Sequence, residues 1–124
     1  MTDAVLLLAR LLMSVVFIRS GIGKLLAPAG TMATFHHDRL PLVGAVYALA
    51  VAVEIGGGVA VLLGWRTRAA AIILAAWCIA TAAVGHWHPG ISAQMVQFTK
   101  NLCMAGGFLL LWAQGAGRFS IDRR

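Results

Sequence analysis

Residues 42–68 read LVGAVYALAVAVEIGGGVAVLLGWRTR, and this stretch decides the fold class. From Leu42 to Leu63 a single carboxylate, Glu54, interrupts an otherwise apolar run, which ends at Gly64 before a tryptophan and two arginines. A helix of about 20 apolar residues is long enough to cross the ~30 Å hydrocarbon core of a bilayer. The stretch therefore predicts a transmembrane helix.

Three further apolar runs of similar length flank it, at about 4–26, 69–87 and 95–113. Of the 124 residues, 60% are hydrophobic and 11% are charged, and a soluble domain of this size cannot bury so much apolar surface. The turn between the second and third runs is so short that these helices must be antiparallel neighbours. We predict an all-α fold, an integral membrane four-helix transmembrane bundle that forms one domain over residues 1–124 within the lipid bilayer.

The formal net charge of +6 does not come from a continuous basic face, so the sequence argues against nucleic-acid binding. Most arginines lie on the side that an even number of spans shares with the N-terminus. By the positive-inside rule we expect both termini in the cytoplasm and the chain in a bacterial plasma membrane. No basic segment precedes the first run, so we expect it to be retained rather than removed as a signal peptide. The basic side holds Arg66, Arg68, Arg118, Arg123 and Arg124.

Polar residues inside the spans are the main functional signal, because a charge at the bilayer centre costs about 2.5–3.5 kcal/mol on insertion scales. Glu54 is the only carboxylate among them, and a rise of ~1.5 Å per residue places it about 18 Å from the periplasmic end of its span. We expect Glu54 to be ionised and paired with one of several nearby cations, since a neighbouring positive charge favours the ionised form. The expected partner is Arg10, Arg19 or Lys100.

The cations outnumber this carboxylate, which leaves positive charge for an electron-rich ligand. A quinone is the candidate cofactor, since its carbonyl oxygens accept hydrogen bonds from cationic donors and its reduction takes up protons. The candidate catalytic residues are Glu54, Lys100 and His86, the last as a proton exchanger at the rim because histidine titrates near neutral pH. The candidate ligand-binding residues are Arg10, Arg19, Lys24 and Asn101.

A structural interpretation stays open beside the functional one. In it, Arg10 and Lys24 extend to the two interfaces, and Glu54 forms an ion pair that holds the bundle together. The histidines near the outer surface lack the spacing of a known metal motif, so no metal site is predicted. Cys78 and Cys103 come out at similar depth, but without a CxxC pattern we favour packing over thiol chemistry.

Small and aromatic residues suggest how the helices pack. Glycines and alanines cluster within three of the spans, where they allow close helix contact. Tryptophans at the span ends are typical of membrane interfaces. The small residues include Gly21, Gly23, Gly56, Gly57, Gly58, Ala105, Gly106 and Gly107, and the terminal tryptophans are Trp65, Trp87 and Trp112.

A set of short motifs in order along the chain resembles the DoxX family over roughly residues 9–120. Arg19 and the pair His36-His37 do not belong to the family pattern. The family positions that map onto this chain are Arg10, Lys24, Glu54, His86, Lys100 and Asn101. The motifs are Ala9-Arg10-Leu11-Leu12, Gly21-Ile22-Gly23-Lys24-Leu25, Leu40-Pro41, Val53-Glu54-Ile55-Gly56-Gly57, Leu63-Gly64-Trp65-Arg66-Thr67-Arg68, Gly85-His86-Trp87, Phe98-Thr99-Lys100-Asn101-Leu102 and Gly117-Arg118.

The resemblance implies a small four-helix membrane protein linked to quinone redox chemistry, either as a component or as a subunit of a membrane oxidoreductase complex. Whether this chain is itself an enzyme stays open, because no haem, flavin or iron–sulfur motif is present and a redox partner protein would have to supply electrons. A non-catalytic assembly or partner-binding subunit is the first alternative, and a homo-oligomer would use the same small-residue faces. A small-molecule or proton carrier is the second alternative, although no internal repeat supports it.

Overall fold

A computed structural model describes residues 1–124 and contains five helices and no strands. Three of them are long and apolar enough to span a membrane. A fourth long helix is more polar in its first half and completes a bundle of four. The all-α class and the four-helix transmembrane bundle are confirmed. The helices are α1 (Thr2–Leu26), α2 (Pro28–His37), α3 (Val43–Leu63), α4 (Thr67–Gly85) and α5 (Ser92–Gln114).

The core of the bundle is thin, and most large apolar side chains face outward into the bilayer. Helix α1 packs on α3, α3 packs on α4, and the contact between α4 and α5 is the most extensive. The rings of Phe17 and Phe108 close the bundle between α1 and α5, with centroids 5.3 Å apart in an edge-to-face arrangement. Val61, Leu74 and Cys78 fill the space between the other helices. Lipid therefore covers the surface that a soluble protein would have to bury.

Helices α1 and α3 cross closely because two glycines lie at the crossing. A Cβ at Gly58 would lie 2.8 Å from Cγ1 of Ile18, and a Cβ at Gly21 would clash with Ile55. Close approach through small residues is a common way for membrane helices to pack. The crossing brings the last part of α1 next to the middle of α3, where Glu54 lies.

The middle of α3 departs from α-helical geometry. Residues Ala52–Gly56 form a π-helical turn that contains Glu54. A π turn adds a residue to the helical turn and so changes the direction in which the side chains around it point, and such turns are frequent at functional sites. Glu54 faces the interior of the bundle, with only 6% of its side chain exposed.

Helix α2 is a finding that the hydropathy pattern did not predict. The apolar runs leave residues 27–41 unassigned, but Pro28–His37 is helical, with Pro28 at the first helical position, where its missing N–H is not needed. None of its residues is buried, so it has no apolar face that the sequence pattern could indicate. His36 and His37 lie exposed in its last turn.

The C-terminal tail, residues 115–124, folds back onto the end of the bundle instead of extending away. The amides of Ile121 and Asp122 donate to the carbonyls of Leu63 and Gly64, at 3.1 and 2.8 Å. Gly64 has a φ of +68°, which favours glycine, and ends α3. The tail, the turn after α3 and the N-terminus thus share one end of the molecule.

Asp122 in this tail caps the first turn of α4. Its Oδ1 accepts from the Arg66 amide at 2.9 Å, and its Oδ2 accepts from the amide and the hydroxyl of Thr67 at 2.8 and 2.7 Å. Burial acts to raise the pKa of Asp122, but the hydrogen bonds from Thr67 and Arg66 and the charge of Arg124 outweigh it, so its pKa lies below the ordinary value of 3.8.

A lowered carboxyl pKa means that Asp122 stabilises the folded state above the ordinary pKa and loses this effect as the pH falls through the folded value. At neutral pH we expect Asp122→Asn to lower the free energy of unfolding by about 0.5–2 kcal/mol, as for other lost helix caps. Unfolding by SDS in mixed micelles, followed by circular dichroism, should show the gap between the two proteins closing below about pH 4. A gap that is the same at pH 3 and pH 7 would contradict the ionised cap.

Candidate functional site

An ion pair lies inside the bundle between α1 and α3. Nζ of Lys24 is 3.0 Å from Oε2 of Glu54 and also donates to Oγ of Ser20 at 2.9 Å. The Lys24 side chain is 22% exposed and the Glu54 side chain 6% exposed. Burying two charges in a membrane protein is costly unless they are paired in this way. The expectation of a paired Glu54 is confirmed.

The sequence predicted Arg10, Arg19 or Lys100 as the partner of Glu54, and this prediction is wrong, because the partner is Lys24. Helical side chains lean toward the N-terminus of their helix. Helices α1 and α3 are antiparallel, so Lys24, near the end of α1, leans toward the middle of the bundle, and Glu54, in the middle of α3, leans toward the end of the bundle where α1 ends. The two side chains therefore approach each other from different depths, and the glycine crossing brings their helices close enough for contact.

Trp77 of α4 completes the environment of Glu54, and the sequence analysis did not single it out. Its indole Nε1 donates to Oε1 of Glu54 at 3.1 Å, so each carboxylate oxygen has one partner. The available signal was that Trp77 lies in the middle of a span, where an indole N–H needs an acceptor and Glu54 is the only carboxylate. Lys24, Glu54 and Trp77 thus join α1, α3 and α4, and we call these three residues the polar triad.

Polar groups continue from the triad toward α5. The Thr81 hydroxyl lies 2.9 Å from the carbonyl oxygen of Trp77 and 3.3 Å from Oδ1 of Asn101. Asn101 is buried, and its amide nitrogen donates to the Gln97 carbonyl at 3.0 Å. The triad, Thr81 and Asn101 therefore place polar side chains at three of the bundle interfaces, and we call Thr81 and Asn101, with the triad, the polar path; Thr81 meets the triad only through the backbone carbonyl of Trp77.

Three predicted site residues lie outside this path. Arg19 and Lys100 are exposed on their helices and form no hydrogen bond or salt bridge within the chain. His86 is at the end of α4, where its Nδ1 is 2.7 Å from Oε1 of Gln94. Next to it, the rings of Trp87 and Phe98 pack with centroids 5.2 Å apart. His86 is thus at the rim, and no direct contact joins it to Glu54.

Arg10 is also separate from the triad and lies near the opposite end of the bundle. Its side chain is fully buried, and its guanidinium donates to the carbonyls of Val61 and Leu62, at 3.3 and 2.9 Å, and to that of Phe119. These acceptors belong to the end of α3 and to the C-terminal tail. Arg10 therefore does not lie near Glu54, and it joins α1 to the end of α3 and to the C-terminal tail.

The remaining candidates do not assemble into a site. Cys78 is buried in the core and Cys103 is exposed, and both are free thiols. No group of three histidine, cysteine or carboxylate side chains is close enough to hold a metal ion. The polar triad itself offers two hydrogen-bond donors and one carboxylate inside the bundle.

Two known inner membrane proteins are similar to this chain along nearly its whole length. The DoxX family model matches residues 5–87. The inner membrane protein YqjF of Escherichia coli K12 is 39% identical over 121 residues, which cover 98% of this chain and 92% of the relative. The inner membrane protein YphA of the same organism is 32% identical over 124 residues, covering 96% of this chain and 89% of the relative. No solved structure matches significantly.

Proposed function

This chain belongs to the DoxX family and is a bacterial inner-membrane protein, and from this premise we propose that it is a quinone-linked redox component of that membrane. The observation that supports the proposal is the polar triad: an ion pair and an indole N–H held inside an otherwise apolar bundle, at a π turn. Intramembrane ionisable groups are functional candidates by default because their burial is costly.

The chemistry follows from the donors and acceptors of the triad. Quinones dissolve in the bilayer, and the Lys24 side chain, which is 22% exposed against 6% for Glu54, can be approached from there. Its ammonium group would donate to a quinone carbonyl oxygen. Reduction to the quinol takes up two electrons, which would come from a redox partner protein, and two protons, which would come from the aqueous phase. The Lys24 ammonium group would pass one proton to the carbonyl oxygen that it binds, and Glu54 would hold a proton in transit as Lys24 is reprotonated.

The other candidate residues have supporting roles in this proposal. Arg19 and Lys100 are exposed cations on the outer half of their helices and attract an electron-rich head group. Asn101 and Thr81 extend the polar path toward α5. His86 at the rim exchanges protons with the aqueous phase.

The test is mass spectrometry of organic extracts from gently purified protein. We expect the wild type to carry a quinone in near-stoichiometric amount. Glu54→Gln should lower this amount about tenfold or more, because the neutral amide no longer holds the Lys24 ammonium group, whose charge-assisted hydrogen bond to the quinone is worth about 1.5–3 kcal/mol. Arg39→Gln, which changes an exposed arginine in the turn before α3, should retain it. Absence of quinone from the wild type, or equal amounts in folded wild type and Glu54→Gln, would contradict the redox proposal.

The second candidate function is that of a non-catalytic, partner-binding subunit. It is favoured by glycines that have free space beside them. Gly21 and Gly58 are used inside the bundle, but Gly23, Gly56 and Gly106 have no neighbour within 4 Å of an added Cβ. Another helix, from a partner or a second copy of this chain, could approach closely at these positions. A stoichiometric protein that co-purifies with the wild type and is lost on Gly106→Leu would favour this candidate over the redox component.

The orientation and the extent of the domain are part of the same proposal. We infer that both termini are cytoplasmic, because five arginines lie at the end of the bundle that holds them. We also infer that residues 1–124 act as one domain, since the tail and the N-terminus pack on the same end of the bundle: Asp3 accepts from the Arg118 amide at 3.0 Å. A reporter fused after Arg124 should give a cytoplasmic readout; a periplasmic readout would reverse the assignment.

A further inference from the structure

A cavity of about 380 Å³ lies between the start of α4 and the C-terminal tail, far from the polar triad along the bundle. Three arginine side chains surround it, together with the carboxylate of the capping aspartate. Its lining consists of Arg66, Thr67, Arg68, Ala69, Gly115, Asp122 and Arg124. This cluster has no part in the proposed quinone chemistry.

The positive charge of this cavity is not neutralised within the chain. Asp122 forms no salt bridge with these arginines. Its two carboxylate oxygens accept hydrogen bonds from the Arg66 amide and from the amide and hydroxyl of Thr67. No carboxylate lies within 4.0 Å of the guanidinium of Arg66, Arg68 or Arg124. Among the side chains that line the cavity, one carboxylate stands against three guanidiniums, an excess of two positive charges. Because Asp122 already caps α4, the attraction for an anion comes from the arginines and not from the helix terminus.

The surroundings of the cavity are those of the membrane interface. The Trp65 ring, half-exposed, lies beneath the Arg66 guanidinium with 5.4 Å between the guanidinium carbon and the ring centroid. An exposed apolar stripe runs from the cavity along α4 at helical spacing, so its members share one face. The stripe consists of Ala69, Ile72, Ile73 and Ala76.

We propose that this cavity binds the phosphodiester group of an anionic phospholipid, with Arg66, Arg68 and Arg124 as phosphate ligands and the acyl chains along the α4 stripe. Guanidinium groups bind phosphate oxygens through paired hydrogen bonds. Basic pockets between membrane helices at headgroup level are typical sites for anionic lipids. The bound lipid would join the tail to α4, because Arg124 and Arg68 belong to these two segments. This inference does not depend on the quinone proposal.

Native mass spectrometry of the detergent-purified full chain tests the lipid site. The protein is mixed with equal amounts of synthetic phosphatidylglycerol and phosphatidylethanolamine, and the bound lipids are counted. The wild type should retain phosphatidylglycerol preferentially. Arg68→Gln/Arg124→Gln should weaken phosphatidylglycerol binding by about 25-fold, since each basic residue near an anionic lipid is worth about fivefold in affinity.

Three controls make the result decisive. Arg68→Lys/Arg124→Lys retains the charge and should recover most of the binding, which separates loss of the site from loss of the fold. Arg39→Gln, an exposed arginine at the other end, should have no effect. Equal binding by wild type and the double glutamine variant would overturn the proposal. So would full competition by millimolar inorganic phosphate, because the site would then be one for a soluble anion.

Discussion

Lys24→Met is expected to lower the free energy of unfolding by about 3–5 kcal/mol, because it removes one partner of a buried ion pair and leaves the other charge uncompensated. Glu54 would keep only the indole of Trp77 as a donor, in a position where its side chain is 6% exposed. The measurement is SDS-induced unfolding in mixed micelles, followed by circular dichroism. Lys100→Met is the matched control: Lys100 is exposed and unpaired, so we expect a change within about 0.5 kcal/mol.

The double variant Lys24→Met/Glu54→Leu separates the structural from the functional interpretation of the pair. Replacing both members of a buried ion pair with apolar residues is often neutral or stabilising. We therefore expect the double variant to recover most of the stability that Lys24→Met loses. If it also loses the co-purified quinone, the pair serves binding rather than folding. Equal losses of stability in Lys24→Met and Lys100→Met would show that the 3.0 Å contact does not stabilise the protein.

Much of the fold could be predicted because a bilayer imposes a simple length rule on apolar helices. The run from Leu42 to Leu63 and its three counterparts appear as α3 and the other long helices, within a few residues. Helix α2 and the folded tail could not be predicted in this way. Both lie outside the apolar runs and depend on backbone hydrogen bonds, such as Asp122 N–H to the Gly64 carbonyl, that have no hydropathy signature.

The site was predicted less well than the fold, because a contact between two side chains depends on the direction in which each points as well as on its depth in the bundle. Glu54 was recognisable as the carboxylate that needs a partner, but counting residues along straight helices suggested Arg19 or Lys100 rather than Lys24. The direction in which helical side chains lean, the crossing at Gly21 and the π turn together decide the pairing. The role of Trp77 required knowing that α4 presents its indole to the same carboxylate.

Arg10→Met is expected to cost about 3–5 kcal/mol of folding free energy and to release the C-terminal tail. The variant removes charge-assisted hydrogen bonds to three carbonyls, each worth about 1.5–3 kcal/mol, and leaves those carbonyls without this donor. One acceptor, Phe119, belongs to the tail, so limited trypsin digestion should cleave after Arg118 or Arg123 sooner than in the wild type. Arg19→Met is the matched control, because Arg19 is on the same helix and exposed.

Arg10→Lys distinguishes the shape of the side chain from its charge. A guanidinium can donate in several fixed directions, whereas an ammonium group is a point charge that does not reproduce this fork. The lysine variant should therefore have a stability and a trypsin resistance between those of wild type and Arg10→Met. If Arg10→Met and Arg19→Met are equally resistant to trypsin, the tail is held by its other hydrogen bonds, those of Arg118, Ile121 and Asp122. If trypsin cleaves the tail of Arg10→Met sooner than the tails of the wild type and of Arg19→Met, then the buried guanidinium of Arg10, which belongs to a membrane span, joins the bundle to the C-terminal tail.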